Sequence, residues 1–446
     1  MQSYEERKQR LIDDLRKGAN GSSLRLAKAT SNLFRDRANS AAHRLDVRDL
    51  DHVLGIDTAA GLVDVEGMTP YEALVDATLP EGAMPAVVPE LRSITIGGAV
   101  AGLGIEASSF RHGLVHETIE QLEVLLPGGE VVLCTPDNEH SDLFFGFANS
   151  FGTLGYALRV KAKIVPVKPY VRIRHIRHCD PIAFFGDLEA WCGRSNVDFV
   201  EGEVFGRDEM YVSLGRFTDQ APYTSDYGFE CIYYQSIREK EEDYLTTRDY
   251  IWRWDTDWFW CSKMVFAEHP MVRRLLGRKR LQSVTYMNIL RVNGKLGLLR
   301  AIDRLRGIRS EAVIQDVPVP IEHAPEFLDF FLREVPILPL WTCPVRVANP
   351  NRLFDLFRME PGKLYVNLGF WDAVRTREDL PAGHYNRRVE RKVRELGGLK
   401  SLYSEAYYER DEFWELYNKP AYDRLKAKYD PNGQFKNLYD KCVLRQ

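Results

Sequence analysis

Cysteine is scarce in this chain of 446 residues, with seven at positions 134, 179, 192, 231, 261, 343 and 442. No two are spaced C-x-x-C, which argues against a zinc ribbon and a thioredoxin-like pair. The odd, scattered count predicts reduced thiols in a cytosolic chain. Long apolar runs are missing too: no window approaches the roughly 18–20 residues of a membrane-spanning helix. The N-terminal MQSYEERKQRLIDDLRKG is charged throughout and has no apolar core, so it does not read as a signal peptide. Neither charge sign dominates, with 60 Lys and Arg against 64 Asp and Glu. That balance gives no global drive toward nucleic acid, and no nucleic-acid module surrounds the basic clusters. Repeats, low-complexity tracts, a P-loop and G-x-S-x-G are absent. His116-Glu117 lacks the second histidine of H-E-x-x-H, and no metal site is expected.

What is present fits a packed globular protein: 45% hydrophobic, 28% charged and 11% aromatic residues. The length allows two or three domains. Residues 4–17 read as a short charged helix, and 45–66 as strands with tight turns. Thr69-Pro70 opens a helix, with proline at its start. Pro127-Gly128-Gly129 marks a hairpin. Residues 141–167 run from a helix through a glycine turn into an alternating strand. The middle of the chain carries strands such as VRIRHIR and YVSLGRF, and the last sixty residues are helical and charged.

Residues 87–113 are the glycine-rich part. Glycine lets a backbone approach a ligand closely, and successive N–H groups can cradle a diphosphate. Gly102-x-Gly104-x-x-Ala107 matches a loose Rossmann fingerprint, but poor helix text, Ser108-Ser109-Phe110-Arg111-His112-Gly113, follows it. Glycines at a tight strand corner are the plain alternative.

Taken together, VPELRSITIGGAVAGLGIEASSFRHGL, LCTPDNEHSDLFF and SFGTLGYALRVKAKIVPVKPYV resemble the FAD-binding fold of the vanillyl-alcohol oxidase (PCMH) type. With FVEG at 199–202, LPLWTCP at 338–344, LYSEAYYERDEFWELY and YDPNGQFKNLYDK, the chain is most similar to the Δ24-sterol reductase (DIMINUTO/seladin) family. The resemblance implies an α+β, two-domain PCMH-type fold with a separate α+β substrate domain. The expected boundaries are 1–170 for FAD, 171–390 for substrate, and 391–446 returning to the FAD domain.

Residue roles follow from the same resemblance. The loop Thr95, Ile96, Gly97, Gly98, Gly102 and Gly104, with Ser108, Ser109 and Gly113, would wrap the FAD diphosphate. Pro89 and Glu90 would sit beside it, and Gly152, Thr153, Leu154 and Gly155 would line the adenine and flavin side. The early R-G-x-G-x-S loop of the fold has no match beyond Gly18-Ala19-Asn20-Gly21-Ser22. His112 and His116 read as solvated or hydrogen-bonded rather than flavin-tethering, so FAD is expected to be non-covalent. Alkene reduction by a flavin needs a hydride and a proton donor in a site closed to water. The donor candidates are Glu201, Tyr403, Tyr407, Tyr408 and Lys441, and Cys343 would lie near the flavin. Each has a plain alternative: a packed tyrosine, a buried thiol, a surface lysine.

The implied reaction is reduction of a lipid C=C bond, with NADPH reducing the FAD. The sterol enzymes of the family usually carry an N-terminal anchor, whereas this N-terminus is charged. A methylene-branched fatty acyl chain, supplied by an upstream lipid methyltransferase, is therefore placed slightly ahead of a sterol. An alcohol or sugar oxidase and a lipid-binding scaffold are the alternatives. The segment YIWRWDTDWFWCSKMVF puts Trp254 and Trp258 four apart, expected on one helix face. That face would pack on the substrate domain or, with Arg273, Arg274, Arg278, Lys279 and Arg280, touch anionic lipid. RRVERKVRE at 387–395 reads as a solvated helix face. The location expected is cytoplasmic, peripheral at the inner face of the membrane.

Overall fold

The computed structural model describes residues 2–18, 23–35, 42–296 and 306–445. The Gly18–Ser22 stretch falls almost wholly outside these residues. Fifteen strands occur among them, and we number them in chain order. β1 (Ser23–Ala27) and β2 (Ala42–Asp46) form a parallel pair. A six-stranded sheet contains β3 (Val53–Asp57), β4 (Leu62–Glu66), β5 (Ala83–Pro85), β6 (Ile119–Leu125), β7 (Val131–Cys134) and β8 (Tyr156–Pro166). All its pairings are antiparallel, and β8 is the hub, flanked by β4, β5 and β6.

The local chemistry explains several elements. Pro70 takes an extended conformation and starts the helix Tyr71–Thr78. The Pro127–Gly129 turn closes β6 onto β7, with Gly129 at φ +83° where L side chains are strained. Along β8 the burial alternates, as a half-buried strand requires.

The second sheet has seven strands in the order β12-β9-β11-β10-β14-β15-β13. These are β9 (Tyr170–His178), β10 (Phe199–Gly206), β11 (Glu209–Thr218), β12 (Glu242–Thr246), β13 (Arg309–Pro320), β14 (Leu340–Arg346) and β15 (Leu364–Thr376). Helices Pro181–Cys192, Ala324–Glu334 and His384–Glu395 contribute to the apolar core on one of its sides. The largest core instead joins the first sheet, the tryptophan-rich segment and the C-terminal helices through residues such as Val124, Trp254, Phe413 and Leu425. Among the described residues no helix is long and apolar enough to cross a membrane.

The 250–260 segment departs from the helical expectation. The helix stops at Ile251, and turns follow. Trp258, Phe259 and Trp260 have φ of 48°, 48° and 57°. Three consecutive left-handed residues cost roughly 1–2 kcal/mol each, so only strong packing holds them. That packing is visible. Trp252, Trp254, Trp258 and Trp260 are all buried, and Trp254 stacks on Phe259 at 4.8 Å. The lipid-facing reading of these tryptophans is thereby corrected. Arg273 is buried on Asp257 at 2.7 Å, and Arg278 pairs with Asp226, so neither is a free basic group.

Candidate functional site: a glycine and aromatic cavity

A cavity of about 490 Å³ runs from the glycine-rich segment to the strained tryptophan turn. That is within the roughly 300–1,000 Å³ of small-molecule sites. One wall is Pro89, Glu90, Thr95, Gly97, Gly98, Gly102 and Gly104, and Gly152 and Gly155 face it. Residues 96–101 form a short helix rather than a pure loop. It lies so close to the end of β4 that a Cβ on Gly97 would lie 2.6 Å from the Gly67 carbonyl oxygen. A Cβ on Gly104 would meet Val115 Cγ2 at 2.6 Å and Pro89 Cγ at 2.9 Å. Glycine is thus demanded from behind, while bare backbone is offered in front.

Six cations, Arg25, Lys28, Arg35, Lys436, Lys441 and Arg445, line the cavity against two acids, Glu90 and Asp316. Positive charge beside a bare glycine surface suits a diphosphate. The residues present therefore fit FAD: cations and glycines for the diphosphate, aromatic surfaces for the rings. Lys441 Nζ donates to the Phe151 carbonyl at 2.7 Å, which fixes it on the wall.

The other end is aromatic. Phe34, Trp258, Phe259, Trp341, Trp371 and Tyr403 line it. Phe34 stacks on Trp258 at 5.5 Å, and Phe259 meets Trp371 at 4.5 Å. The two chain ends close it together: Phe34 N–H donates to the Tyr403 carbonyl at 3.0 Å.

Asp316 brings a carboxyl to the aromatic residues of this end. Asp316 on β13 lies opposite Gly369 on β15. Asn367 and Trp371 flank Gly369 on the same face, because strand side chains alternate. A Cβ on Gly369 would strike the Trp371 ring at 2.4 Å and Asp316 Oδ1 at 2.8 Å. Asn367 donates to Asp316 at 2.6 Å, and Trp371 Nε1–H donates to Tyr403 Oη at 2.8 Å. Tyr403 in turn bonds Asp316 through its hydroxyl. Burial pushes the Asp316 carboxyl up to about 6, opposed by the bonds from Asn367 and Tyr403. Burial and then the Asp316 charge raise the Tyr403 phenol well above its ordinary value.

Behind the glycine wall lies a buried carboxylate cluster. Arg253 donates to Glu201 Oε1 at 2.8 and 3.1 Å, and lies 3.4 Å from Glu106 and 3.9 Å from Glu90. Trp254 and Trp341 indoles donate to Glu201 Oε2 at 3.1 and 2.8 Å. One guanidinium cannot neutralise three carboxylates. Burial lifts Glu106 to about 7, and burial with the neighbouring carboxylates lifts Glu90 well above its ordinary value. Glu90 alone of the three lines the cavity, and its Oε1 has no hydrogen-bond partner there.

Of the proposed donors, Tyr403 and Lys441 line the cavity. Glu201 does not: both its oxygens are taken by Arg253 and two indoles. Cys343 is off the wall as well, its thiol donating to the Glu106 carbonyl at 3.1 Å. Tyr407 binds Glu405 at 2.6 Å, and Tyr408 packs on Phe413 and Tyr417, both away from the cavity. Six flavin-loop positions are likewise off the wall. Ile96 and Leu154 are core, Ser108 Oγ donates to Ala86 O, Ser109 Oγ accepts from Glu106 N–H, Thr153 Oγ1 donates to Ser150 O, and Gly113 packs on Glu117. His112 and His116 are not on the wall either.

Sequence reasoning missed residues 28–35, Asp316 and Trp371. The first carries no glycine signature. Asp316 did carry a signal: an acid inside the apolar strand text AVIQDVPVPI.

Known proteins bear on this geometry. Residues 18–135 match the FAD binding domain family model. The human Delta(24)-sterol reductase is 30% identical over 422 residues, covering 90% of this chain and 77% of that protein. The Arabidopsis thaliana Delta(24)-sterol reductase is 27% identical over 444 residues, covering 89% and 76%. Cytokinin dehydrogenase 10 of Oryza sativa subsp. japonica is 29% identical over 173 residues, covering 38% and 30%. Fold, cavity and matches together define a PCMH-type flavoprotein oxidoreductase. Within that class, the chain belongs to the Δ24-sterol reductase family.

Proposed function

We propose that this protein reduces an isolated C=C bond in the apolar chain of a lipid, with NADPH as electron source and non-covalently held FAD. The supporting observation is one cavity lined by glycines and cations and by aromatic residues that carry the polar cluster Asp316–Tyr403–Trp371. An apolar chain fits such a box, and a saturating reaction needs one proton delivered inside it.

The glycines and cations of the cavity would hold FAD, whose chemistry would supply a hydride for one alkene carbon with NADPH as its source. The second carbon needs a proton. In this reading Tyr403 delivers it from its hydroxyl, and Asp316, protonated in part of the molecules, replaces it through their hydrogen bond. Trp371 holds the tyrosine oxygen so that its proton points along that path. Trp258, Phe259 and Trp341 keep water out. Alkene, NADPH and one proton become alkane and NADP⁺.

The relatives' names support a sterol side chain as substrate. A methylene-branched acyl chain offers the same chemistry, an isolated alkene in an apolar chain. Lipid mass spectrometry of cells lacking the gene tests both. We expect a lipid lighter by two hydrogens to accumulate, and its class assigns the substrate. With purified protein under anaerobic conditions, NADPH should bleach the flavin. Bleaching by an alcohol but not by NADPH overturns the reductase reading.

A further inference from the structure

The most exposed large apolar side chains gather outside the cavity, just beyond its tryptophan turn. Among the described residues Leu275 is 82% exposed, Phe266 74% and Met271 73%. All three lie within ten residues of one another, a concentration a soluble surface ordinarily avoids. Leu338, also exposed, joins them through its carbonyl, which accepts from Lys263 at 3.3 Å while the Lys263 carbonyl accepts from Phe266 N–H.

The geometry holds this group outward. In the helix Pro270–Leu276, Met271 and Leu275 are four apart and share a face. Arg273 lies on the opposite face, and it is buried, donating to Asp257 at 2.7 Å and to the Phe229 carbonyl at 2.6 Å. That anchor fixes the helix rotation, so the apolar pair cannot turn inward. Phe266 is held at φ +56° by the turn before it.

Charge supplies the second observation. Arg274, Lys279 and Arg280 are exposed, and none has an acidic partner among the described residues. Of the nearby acids, Asp257 pairs with Arg273 and Asp226 with Arg278, while Glu268 accepts from the Tyr234 hydroxyl at 2.7 Å and Glu230 is exposed. Arg274, Lys279 and Arg280 outnumber the unpaired acids Glu230 and Glu268, and this positive excess beside exposed Phe, Met and Leu matches the two layers of an anionic bilayer surface.

We propose that the face formed by Phe266, Met271, Leu275, Arg274, Lys279 and Arg280 docks on an anionic phospholipid surface. The apolar side chains enter the interface while the cations meet the headgroups. The face continues the chain that forms the cavity's aromatic wall, Trp258 and Phe259. It moves the membrane contact from the buried tryptophans to the exposed residues that follow them.

Co-sedimentation of the purified full chain with vesicles tests this without substrate or turnover, so failure of the reductase reading leaves it intact. Wild type should bind phosphatidylcholine vesicles containing phosphatidylglycerol and release in high salt. Neutralising Arg274, Lys279 and Arg280 to Gln should weaken binding by about 100-fold, at roughly a kilocalorie per cation. Met271→Glu with Leu275→Glu should abolish it, with the thermal melt unchanged. Equal sedimentation of wild type and both variants, or none by wild type, overturns the proposal. So does a wild-type dimer in analytical ultracentrifugation that the Met271→Glu/Leu275→Glu variant dissolves, because the face then belongs to a second copy.

Discussion

Trp371 donates its indole N–H to the Tyr403 hydroxyl at 2.8 Å, and that same hydroxyl hydrogen-bonds Asp316. The bond joins the seven-stranded sheet to the C-terminal segment. Tyr403→Phe removes the transferable proton and keeps the ring. Alkene reduction should fall by about 10²–10⁴-fold. Bleaching of the flavin by NADPH should continue at the wild-type rate. Stopped-flow measurement of the two half-reactions separates these effects.

The same cluster sets a pH dependence. With Asp316 held up to about 6, its protonated form declines as pH rises through that value. The rate of alkene reduction should show a limb falling above about pH 6. Asp316→Asn should remove that limb and lower the rate, while flavin content stays at the wild-type level. A limb that persists in Asp316→Asn would assign it to another group.

Gly97→Ala should weaken flavin binding. The added Cβ would lie 2.6 Å from the Gly67 carbonyl oxygen, so the 96–101 helix must move away from the turn after β4. Overpacking of this kind costs about 1–3 kcal/mol. The expected readout is a lower melting temperature together with a lower flavin-to-protein absorbance ratio.

Arg253→Met should be among the most destabilising single substitutions. It leaves Glu201, Glu106 and Glu90 buried around no cation. Breaking a buried pair from one side costs about 3–5 kcal/mol. Adding Glu201→Gln should recover part of that loss, which a double-mutant cycle by chemical denaturation measures.

Glu117 gives a stability prediction with a definite sign. Burial pushes its carboxyl from 4.5 to about 7, against backbone N–H donors from Leu114 and Ala348. The folded state therefore holds its proton more tightly than the unfolded chain does. The stabilisation is complete below about pH 4.5 and is lost as pH rises toward 7. Glu117→Gln should thus gain stability relative to wild type as pH increases from 5 to 8, by roughly 2–3 kcal/mol in denaturation experiments.

Much of the fold was legible where local chemistry acts alone. Pro70 starts a helix by its fixed φ, Pro127–Gly129 turns a hairpin, and the alternation of β8 marks its buried face. Gly97, Gly98, Gly102 and Gly104 stood out because glycine clusters carry few other meanings. The 250–260 segment misled because four apart is a helical spacing, yet packing overrode it and bent Trp258–Trp260 left-handed. Ser108, Ser109 and Thr153 misled because a small hydroxyl serves a turn as well as it serves a ligand.

The sequence by itself determined the family, the glycine wall and the presence of tyrosines near the C-terminus, since these reside in short contiguous motifs. Only the tertiary structure decided which tyrosine lines the cavity. Tyr403, Tyr407 and Tyr408 lie within six residues, but only Tyr403 faces the cavity, where β13 and β15 bring Asp316 and Trp371 to meet it. It also decided which basic residues are exposed, because Arg273 and Arg274 are neighbours in the chain, yet Arg273 is buried on Asp257 and Arg274 faces solvent. Contacts between residues far apart in sequence depend on strand register and helix rotation, and packing against distant elements sets both.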